Sequence, residues 1–253
     1  MRHTRSYYLR RLHRYLGVTI GIQFLLWTVG GLYFSWSDMD EVHGDYQRKP
    51  TPLLVPDTAA WVSPSVVITN LRAAGEHPDS ILSLRLVPVL DAACWQVVFI
   101  ERDAHHRRPT RTRLAYARTG VLRPALSEAE AVEIASRQFN GVPTLEDAVY
   151  YTEVPPNHEY RENVLPAWGI TFADPARTTV YVAAERGTVE KFRNGKWRIF
   201  DWLWMWHVMD YESRDHIGNW LLRLFSVLGL LTICSGFSMF VITSPVLQKL
   251  FNT

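Results

Sequence analysis

The stretch YLGVTIGIQFLLWTVGGLYFSW, residues 15–36, decides the fold of this chain because it runs for 22 residues without one charge. At about 1.5 Å per residue, a helix of this length spans roughly 33 Å, which is enough to cross the hydrocarbon core of a bilayer. A second run, LFSVLGLLTICSGFSMFVI at residues 224–242, is also uncharged. Interface-preferring Trp, Tyr or Arg residues border each run. The sequence predicts two transmembrane helices, with two buried core helices of a soluble protein as the alternative.

Five arginines precede the first apolar run, namely Arg2, Arg5, Arg10, Arg11 and Arg14. Because positively charged flanks stay in the cytoplasm, they predict a cytoplasmic N-terminus. A cleavable signal peptide is the competing interpretation, but the run is too long for one and no small-x-small cleavage site closes it. Two spans return the tail with Lys249 to the same side. We therefore expect a protein of the bacterial inner membrane with cytoplasmic termini and a periplasmic segment at about residues 37–216.

The composition argues against several other classes of protein. The net charge is only +2, so we expect membrane lipid and no nucleic acid as a partner. Cys94 falls in the soluble segment and Cys234 in the second span, so they are not expected to pair. The absence of CxxC and CxxCH argues against a thioredoxin-like site, a zinc ribbon and covalently attached haem.

Between the spans, one order of elements is predicted twice, each time a helix followed by strands. Ser63-Pro64 is typical of a helix start, and Ser127 with Glu130 makes a capping box. The first copy is predicted as a helix at residues 65–74 and strands at 80–89, 95–101 and 111–117. The second copy is predicted as a helix at residues 127–139 and strands at 145–154, 168–173 and 179–184. WQVVF at 95–99 aligns with WGITF at 168–172.

Hairpin-length links between these strands predict antiparallel pairing, because parallel crossovers need about a dozen residues or more. The expected fold class is membrane α plus soluble α+β, with two transmembrane helices flanking a periplasmic domain of two helix-plus-antiparallel-sheet repeats. The predicted organisation is a cytoplasmic lead-in at 1–14, a transmembrane helix at 15–36, a linker at 37–62, repeats at 63–126 and 127–192, an aromatic interfacial segment at 193–216, a second transmembrane helix at 217–243 and a cytoplasmic tail at 244–253.

Two stretches of the second repeat, SEAEAVEIA at 127–135 and TVYVAAERGTV at 179–189, resemble a PepSY domain. The family closes its last strand with D-x-x-T-G, whereas this chain has Glu185-Arg186-Gly187 there, and residues 63–124 resemble a more diverged copy. LHRYLG at 12–17 is similar to the opening of PepSY-associated transmembrane proteins. WMWH at 204–207, followed by a span with Ser235-Gly236, is similar to their second helix.

This resemblance implies a role in redox chemistry. Larger members with four spans include inner-membrane ferric-siderophore reductases that bind b-type haem through membrane histidines, and this chain resembles half of one. His13 occupies a histidine position of the family. PepSY domains are otherwise linked to inhibiting or modulating peptidases, which implies a second kind of function.

Three histidines at the predicted membrane edges are the candidate haem ligands. His13 precedes Gly17 and Gly21 at intervals of four, so one helix face carries an imidazole and two places without a side chain. Such a face admits a flat macrocycle, and it is equally typical of a Gly-xxx-Gly helix contact. His207 ends the aromatic segment FDWLWMWH, which predicts an interfacial amphipathic helix and a dry site for a neutral imidazole. A pure aromatic anchor is the alternative.

His43 lies in DMDEVHGD at residues 38–45, where four carboxylates accompany it. A solvated acidic turn, a haem ligand and a weak hard-metal site are all compatible with this composition. The remaining histidines are predicted to be solvated, in the tail or in surface loops: His3, His77, His105, His106, His158 and His216.

Depth decides which histidines can share an iron. His13 and His207 are predicted at opposite ends of helices of roughly 30 Å, so within one chain they cannot be the two axial ligands of one haem. His43 and His207 can meet at the periplasmic edge. His13 needs another chain, which predicts a homodimeric four-helix bundle or a larger membrane complex.

The leading functional hypothesis is a b-type haem protein that passes electrons outward from the cytoplasmic side or the quinone pool, in the manner of a ferric-siderophore reductase. The alternative is a non-catalytic periplasmic module that holds a peptide or protein partner, as a peptidase modulator or an accessory subunit of a membrane redox complex. No nucleotide, flavin or NAD fingerprint is present. Whether the protein is an enzyme stays open at this stage.

Overall fold

The computed structural model describes residues 5–51, 53–54, 61–101 and 109–244 and divides into two compact units. Met1–Asp38 with Ile199–Thr253 is here called the helical unit, and Met39–Arg198 the sheet domain. The helices are α1 (Arg5–Trp36), α2 (Met39–His43), α3 (Pro64–Ala73), α4 (Glu128–Gln138), α5 (Gly195–Val208) and α6 (Trp220–Thr243). The strands are β1 (Pro78–Val89), β2 (Ala92–Glu101), β3 (Thr110–Tyr116), β4 (Leu122–Arg123), β5 (Leu145–Tyr151), β6 (Ala167–Phe172), β7 (Thr179–Ala183) and β8 (Thr188–Arg193).

Two helices of the helical unit, at Tyr7–Trp36 and Trp220–Thr243, are long and apolar enough to cross a membrane. Only 17% of the most apolar stretch of each is buried, whereas the core helix of a soluble protein is mostly buried. The prediction of two transmembrane helices in contact with lipid is confirmed, and the soluble alternative is wrong. The two helices pack antiparallel, since Gly229 lies against Phe24 while Gly236 lies against His13.

The sheet domain contains two four-stranded antiparallel sheets, each with its strands in chain order. α3 precedes the first sheet, with Ser63 as its N-cap and Pro64 in its first turn. α4 precedes the second sheet and begins with the capping box of Ser127 and Glu130. The predicted pair of helix-plus-antiparallel-sheet repeats is therefore confirmed. Each sheet also has a fourth strand, β4 or β8, that the sequence did not predict.

Equivalent glycines close the last hairpin of each sheet. Gly120 between β3 and β4 has a φ of 71°, and Gly187 between β7 and β8 has a φ of 68°. Glycine is favoured in this left-handed region because it has no Cβ atom. Trp95 on β2 and Trp168 on β6 likewise occupy the second strand of their sheets. The alignment of the two repeats in the sequence therefore corresponds to equivalent positions in the fold.

The two repeats share one hydrophobic core. Val89, Cys94 and Leu114 of the first sheet pack with Ile134 of α4 and with the second sheet. On its opposite face the first sheet packs against α3, and the buried residues there are Val67, Leu71, Val97, Phe99 and Ala115. Because the first sheet is covered on both faces, Cys94 is fully buried and is a free thiol.

The stretch after α1 folds onto the second repeat, although the sequence placed it in a linker. It forms α2 and a 3-10 turn at Asp45–Gln47. The Lys49 amide donates to the Gln138 carbonyl at 2.7 Å, and Gln47 Nε2 donates to Thr178 Oγ1 at 2.7 Å. Of the proline-rich part of that predicted linker, residues 52 and 55–60 lie outside the described residues.

Candidate functional site

His13 lies on the side of α1 that packs against α6, and its ring is half-buried. Its Nδ1 atom is 2.8 Å from Oγ of Ser235, a residue that is only 6% exposed. A Cβ atom added at Gly236 would lie 3.2 Å from His13 Cε1, which is tighter than ordinary van der Waals contact. The imidazole therefore lies between two helices. One hydrogen bond orients it, and Gly236 leaves room for its ring because it has no side chain.

The glycine face of α1 is open. A Cβ atom added at Gly17 or at Gly21 would meet nothing within 4 Å in the part of the chain that the structure describes. The close glycine contacts between α1 and α6 lie instead at Gly229, beside Phe24, and at Gly236. Gly17 and Gly21 thus leave free space one and two turns beyond His13, in which a second helix or a flat ring can lie.

His207 lies near the end of α5, in the part of that helix that belongs to the helical unit. Its ring is parallel to Trp204, with centroids 6.0 Å apart, and meets Phe34 edge-on at 5.7 Å. Within the described residues, its buried Nδ1 atom has no hydrogen-bond partner. Burial lowers the pKa of this imidazole, which favours the neutral form. A neutral ring with an unused nitrogen is suited to bind a metal ion.

The backbone around His207 is held by side chains of other elements. Gln23 Nε2 donates to the Trp206 carbonyl at 3.0 Å, and Trp27 Nε1 donates to the His207 carbonyl at 2.9 Å. Asn219 Nδ2 donates to the Val208 carbonyl at 2.8 Å. The last carbonyls of a helix have no partner within the helix, and here three of them are satisfied by side chains. This end of α5 is therefore firmly attached to α1.

His43 is the last residue of α2 and is exposed. The neighbouring Glu41 pairs with Lys196, and the Glu41 carbonyl accepts from Asn194 Nδ2 at 2.9 Å. Among the residues that the structure describes, no three His, Cys, Asp or Glu side chains converge to hold a metal ion. This geometry gives the hard-metal interpretation of residues 38–45 no support, and that interpretation stays a prediction. Because His43 and His207 belong to different units, their pairing on one haem stays a prediction.

His13 on α1 and His207 on α5 lie at different heights along the axis of α1. The ring of His207 lies 6.3 Å from that of Trp27, which follows His13 by 14 positions on the same helix. At about 1.5 Å per residue this separates the two histidines by roughly 21 Å along the helix. Axial ligands bind the two faces of one iron, so these two side chains of one chain cannot share a haem.

One of the histidines assigned to solvent is in a different environment. His158 is half-buried, its Nδ1 atom accepts from the Tyr160 amide at 3.1 Å, and its ring lies 5.0 Å from that of Tyr151. Burial lowers its pKa. The prediction of a solvated His158 is therefore wrong. His77 and His216 are exposed, as expected, whereas His3, His105 and His106 lie outside the described residues.

Sequence reasoning missed the residues that hold the histidines, namely Ser235, Gln23 and Trp27. Gln23 did carry a signal, because it is the one amide side chain in the first apolar run and polar groups within spans face other protein groups. Ser235 carried no such sequence signal beyond its place in the Ser-Gly pair, since serine is common on membrane helices.

Comparison with known proteins supports the same architecture. The family model described as "PepSY-associated TM region" matches residues 2–242, which covers both spans and the whole sheet domain. No match is found among curated proteins or among solved structures. Because the family model covers nearly the full length, the chain belongs to the PepSY-associated transmembrane family.

Proposed function

We propose that this chain is a bacterial inner-membrane protein that binds b-type haem and carries electrons across the membrane, as ferric-siderophore reductases do. The observation that carries the proposal is the environment of His13. Its imidazole is held by Ser235 beside the open glycine face of Gly17 and Gly21. An oriented imidazole next to free space is what ligation of a flat macrocycle requires.

The residues present fit this cofactor. Nδ1 of His13 is engaged with Ser235, and Nε2 has no hydrogen bond to any described residue, so one ring nitrogen is available to iron. His207 offers a second imidazole with an unused nitrogen in an aromatic environment. When bound, haem supplies reversible one-electron chemistry at its iron. The chain itself supplies the ligands, their orientation and the apolar surroundings.

A second copy of the chain would complete the site. His13 and His207 cannot share an iron within one chain, and two spans are few for enclosing a porphyrin. In a homodimer the open faces of two α1 helices would meet across a two-fold axis and bring the two copies of His13 together. Four helices would then surround the cofactor, as in a four-helix bundle. A larger membrane complex is the variant of this proposal in which another protein supplies the second ligand.

The direction of transfer follows from the proposed orientation, with both termini in the cytoplasm and the sheet domain in the periplasm. Electrons would enter from the cytoplasmic side or from the quinone pool, because the sequence has no nucleotide or flavin fingerprint. The acceptor would be ferric iron or a ferric siderophore in the periplasm.

A reduced-minus-oxidised absorption spectrum of the detergent-purified protein tests the proposal. We expect a b-type spectrum that His13→Ala largely abolishes and that His216→Ala, at an exposed histidine, leaves unchanged. Partial losses in His43→Ala or His207→Ala would indicate a further haem near the other end of the spans. A purified protein without a Soret band, even after haem supplementation, would contradict the proposal.

A second candidate function is a non-catalytic periplasmic module that holds a peptide or protein. The observation in its favour is a cleft of about 600 Å³ in the sheet domain, whose lining includes Trp61, Leu90, Tyr116 and Arg118. Apolar clefts with a few polar groups are typical binding sites. Capture of an envelope partner that Trp61→Ala abolishes and His13→Ala does not affect would favour this module, as peptidase modulator or accessory subunit.

A further inference from the structure

The hydroxyl of Ser235 makes two hydrogen bonds inside the helical unit. Its Oγ atom lies 2.8 Å from the Thr232 carbonyl and 2.8 Å from Nδ1 of His13. A serine hydroxyl has one hydrogen to donate and lone pairs with which to accept. A carbonyl can only accept, so the hydroxyl hydrogen must go to Thr232 if both bonds exist. His13 must then donate, which requires that Nδ1 carries its hydrogen.

The other serine and threonine hydroxyls of the two spans behave in the same way. Each of the following donates to the carbonyl three or four residues earlier in its own helix: Thr19, Thr28, Ser35, Ser226, Thr232, Ser238 and Thr243. Hydrocarbon offers no other acceptor, so this back-bonding is the expected use of a membrane hydroxyl. The pattern supports the assignment of the Ser235 hydrogen to the Thr232 carbonyl.

We infer that Ser235 is a positioning residue that selects the Nδ1–H tautomer of His13 and leaves Nε2 as its only nitrogen with a free lone pair. The second nitrogen of a histidine ligand is usually oriented by such a hydrogen bond. Gly236 completes the arrangement, since it leaves room for the ring edge that the hydrogen bond brings close to α6. The relevance of this tautomer to haem iron rests on the proposed function, whereas the tautomer itself does not.

Nitrogen-15 NMR of haem-free, histidine-labelled protein in detergent tests the inference directly. At about pH 8.5, where imidazoles are neutral, the shifts of the two ring nitrogens identify which one carries the hydrogen. His13→Gln assigns the signal. We expect a predominantly Nδ1–H ring in the wild type and in Ser235→Thr, which keeps the hydroxyl, and loss of that preference in Ser235→Ala. Ser238→Ala, on the same helix with its hydroxyl bonded to the Cys234 carbonyl, should have no effect.

The outcomes separate the inference from the proposed function. An Nε2–H ring at His13 in the wild type, or a Ser235→Ala protein with an unchanged Nδ1–H ring, would overturn the inference whether or not haem binds. An Nδ1–H ring in a protein that binds no haem would support the inference and remove the proposed function. In haem-loaded protein, Ser235→Ala should make the midpoint potential more positive, because the lost acceptor lowers the basicity of the ligand. A potential equal to that of Ser238→Ala would count against the positioning role.

Discussion

His158 lies in a polar loop, but its imidazole is partly buried. Burial lowers the pKa of its imidazole, and the carboxylate of Glu159 opposes this effect. Its Nδ1 atom accepts from the Tyr160 amide, so the hydrogen-bonded form is the neutral ring. The folded state therefore takes up a proton at lower pH than the unfolded chain does.

This lowered pKa makes the sheet domain sensitive to mild acid. Below about pH 6.5 the unfolded chain binds the His158 proton while the folded domain does not, so stability falls as the pH decreases through that value. His158→Asn should flatten the dependence of the thermal midpoint between about pH 7.5 and pH 5.5, because an amide oxygen can accept from Tyr160 without titrating. His77→Asn, at an exposed histidine, should keep the wild-type slope. Equal slopes in all three proteins would show that His158 titrates normally.

The spacing of His13 to Gly17 and Gly21, together with the family resemblance, was enough to make His13 a candidate ligand. It could not predict the hydroxyl of Ser235, which lies 222 positions later in the chain and reaches His13 only once α1 and α6 pack antiparallel. The prediction for His158 was wrong for a related reason. Its partner Tyr160 is close in sequence, but the burial comes from Tyr151 and Tyr181 on two strands.

At the level of secondary structure, the end of α5 differs most from an ordinary helix. The carbonyls of Trp206, His207 and Val208 accept from side chains of Gln23, Trp27 and Asn219. Gln23 is only 6% exposed although it lies within an apolar span. An unsatisfied buried carbonyl costs about 1–3 kcal/mol, so these contacts decide whether α5 stays attached to α1.

Removing one donor should loosen this end of α5. Gln23→Leu keeps the volume of the side chain approximately and leaves the Trp206 carbonyl without its partner, at a cost of about 1–3 kcal/mol. Amide hydrogen exchange of residues 203–208 should become faster by about tenfold for each 1.4 kcal/mol lost. Thr28→Val is the matched control, because its exposed hydroxyl bonds only the Phe24 carbonyl of its own helix. Unchanged exchange in Gln23→Leu would mean that Trp27 and Asn219 hold α5 without it.

Elements with strong local signals were predictable, and those that depend on distant partners were not. The capping box at Ser127 located α4, and the aromatic and branched residues of WQVVF at 95–99 located β2. β4 has only two residues, Leu122 and Arg123, and exists because Leu122 pairs with Ala115. α2 is also short, with five residues, and its Glu41 carbonyl accepts from Asn194, a contact that no local pattern encodes.

For the whole molecule, the arginines ahead of the first span predict which side of the membrane the sheet domain faces. An alkaline phosphatase fused after Lys49 should be active, because the enzyme folds in the periplasm, and one fused after Ser244 should be inactive. A green fluorescent protein at the same two positions should give the opposite pattern. Activity after Ser244 and none after Lys49 would reverse the orientation and with it the proposed direction of electron flow.

The core that the two repeats share has a consequence for how the protein can be dissected. Val89, Cys94 and Leu114 of the first repeat are buried against α4 and the second sheet, and a Cβ atom at Gly187 would lie 2.9 Å from a methyl group of Val89. A single repeat cut from the chain would expose this apolar interface to water and aggregate. The two repeats are therefore not independent modules. A fragment for crystallisation has to keep both repeats and be truncated where the sheet domain meets the two spans.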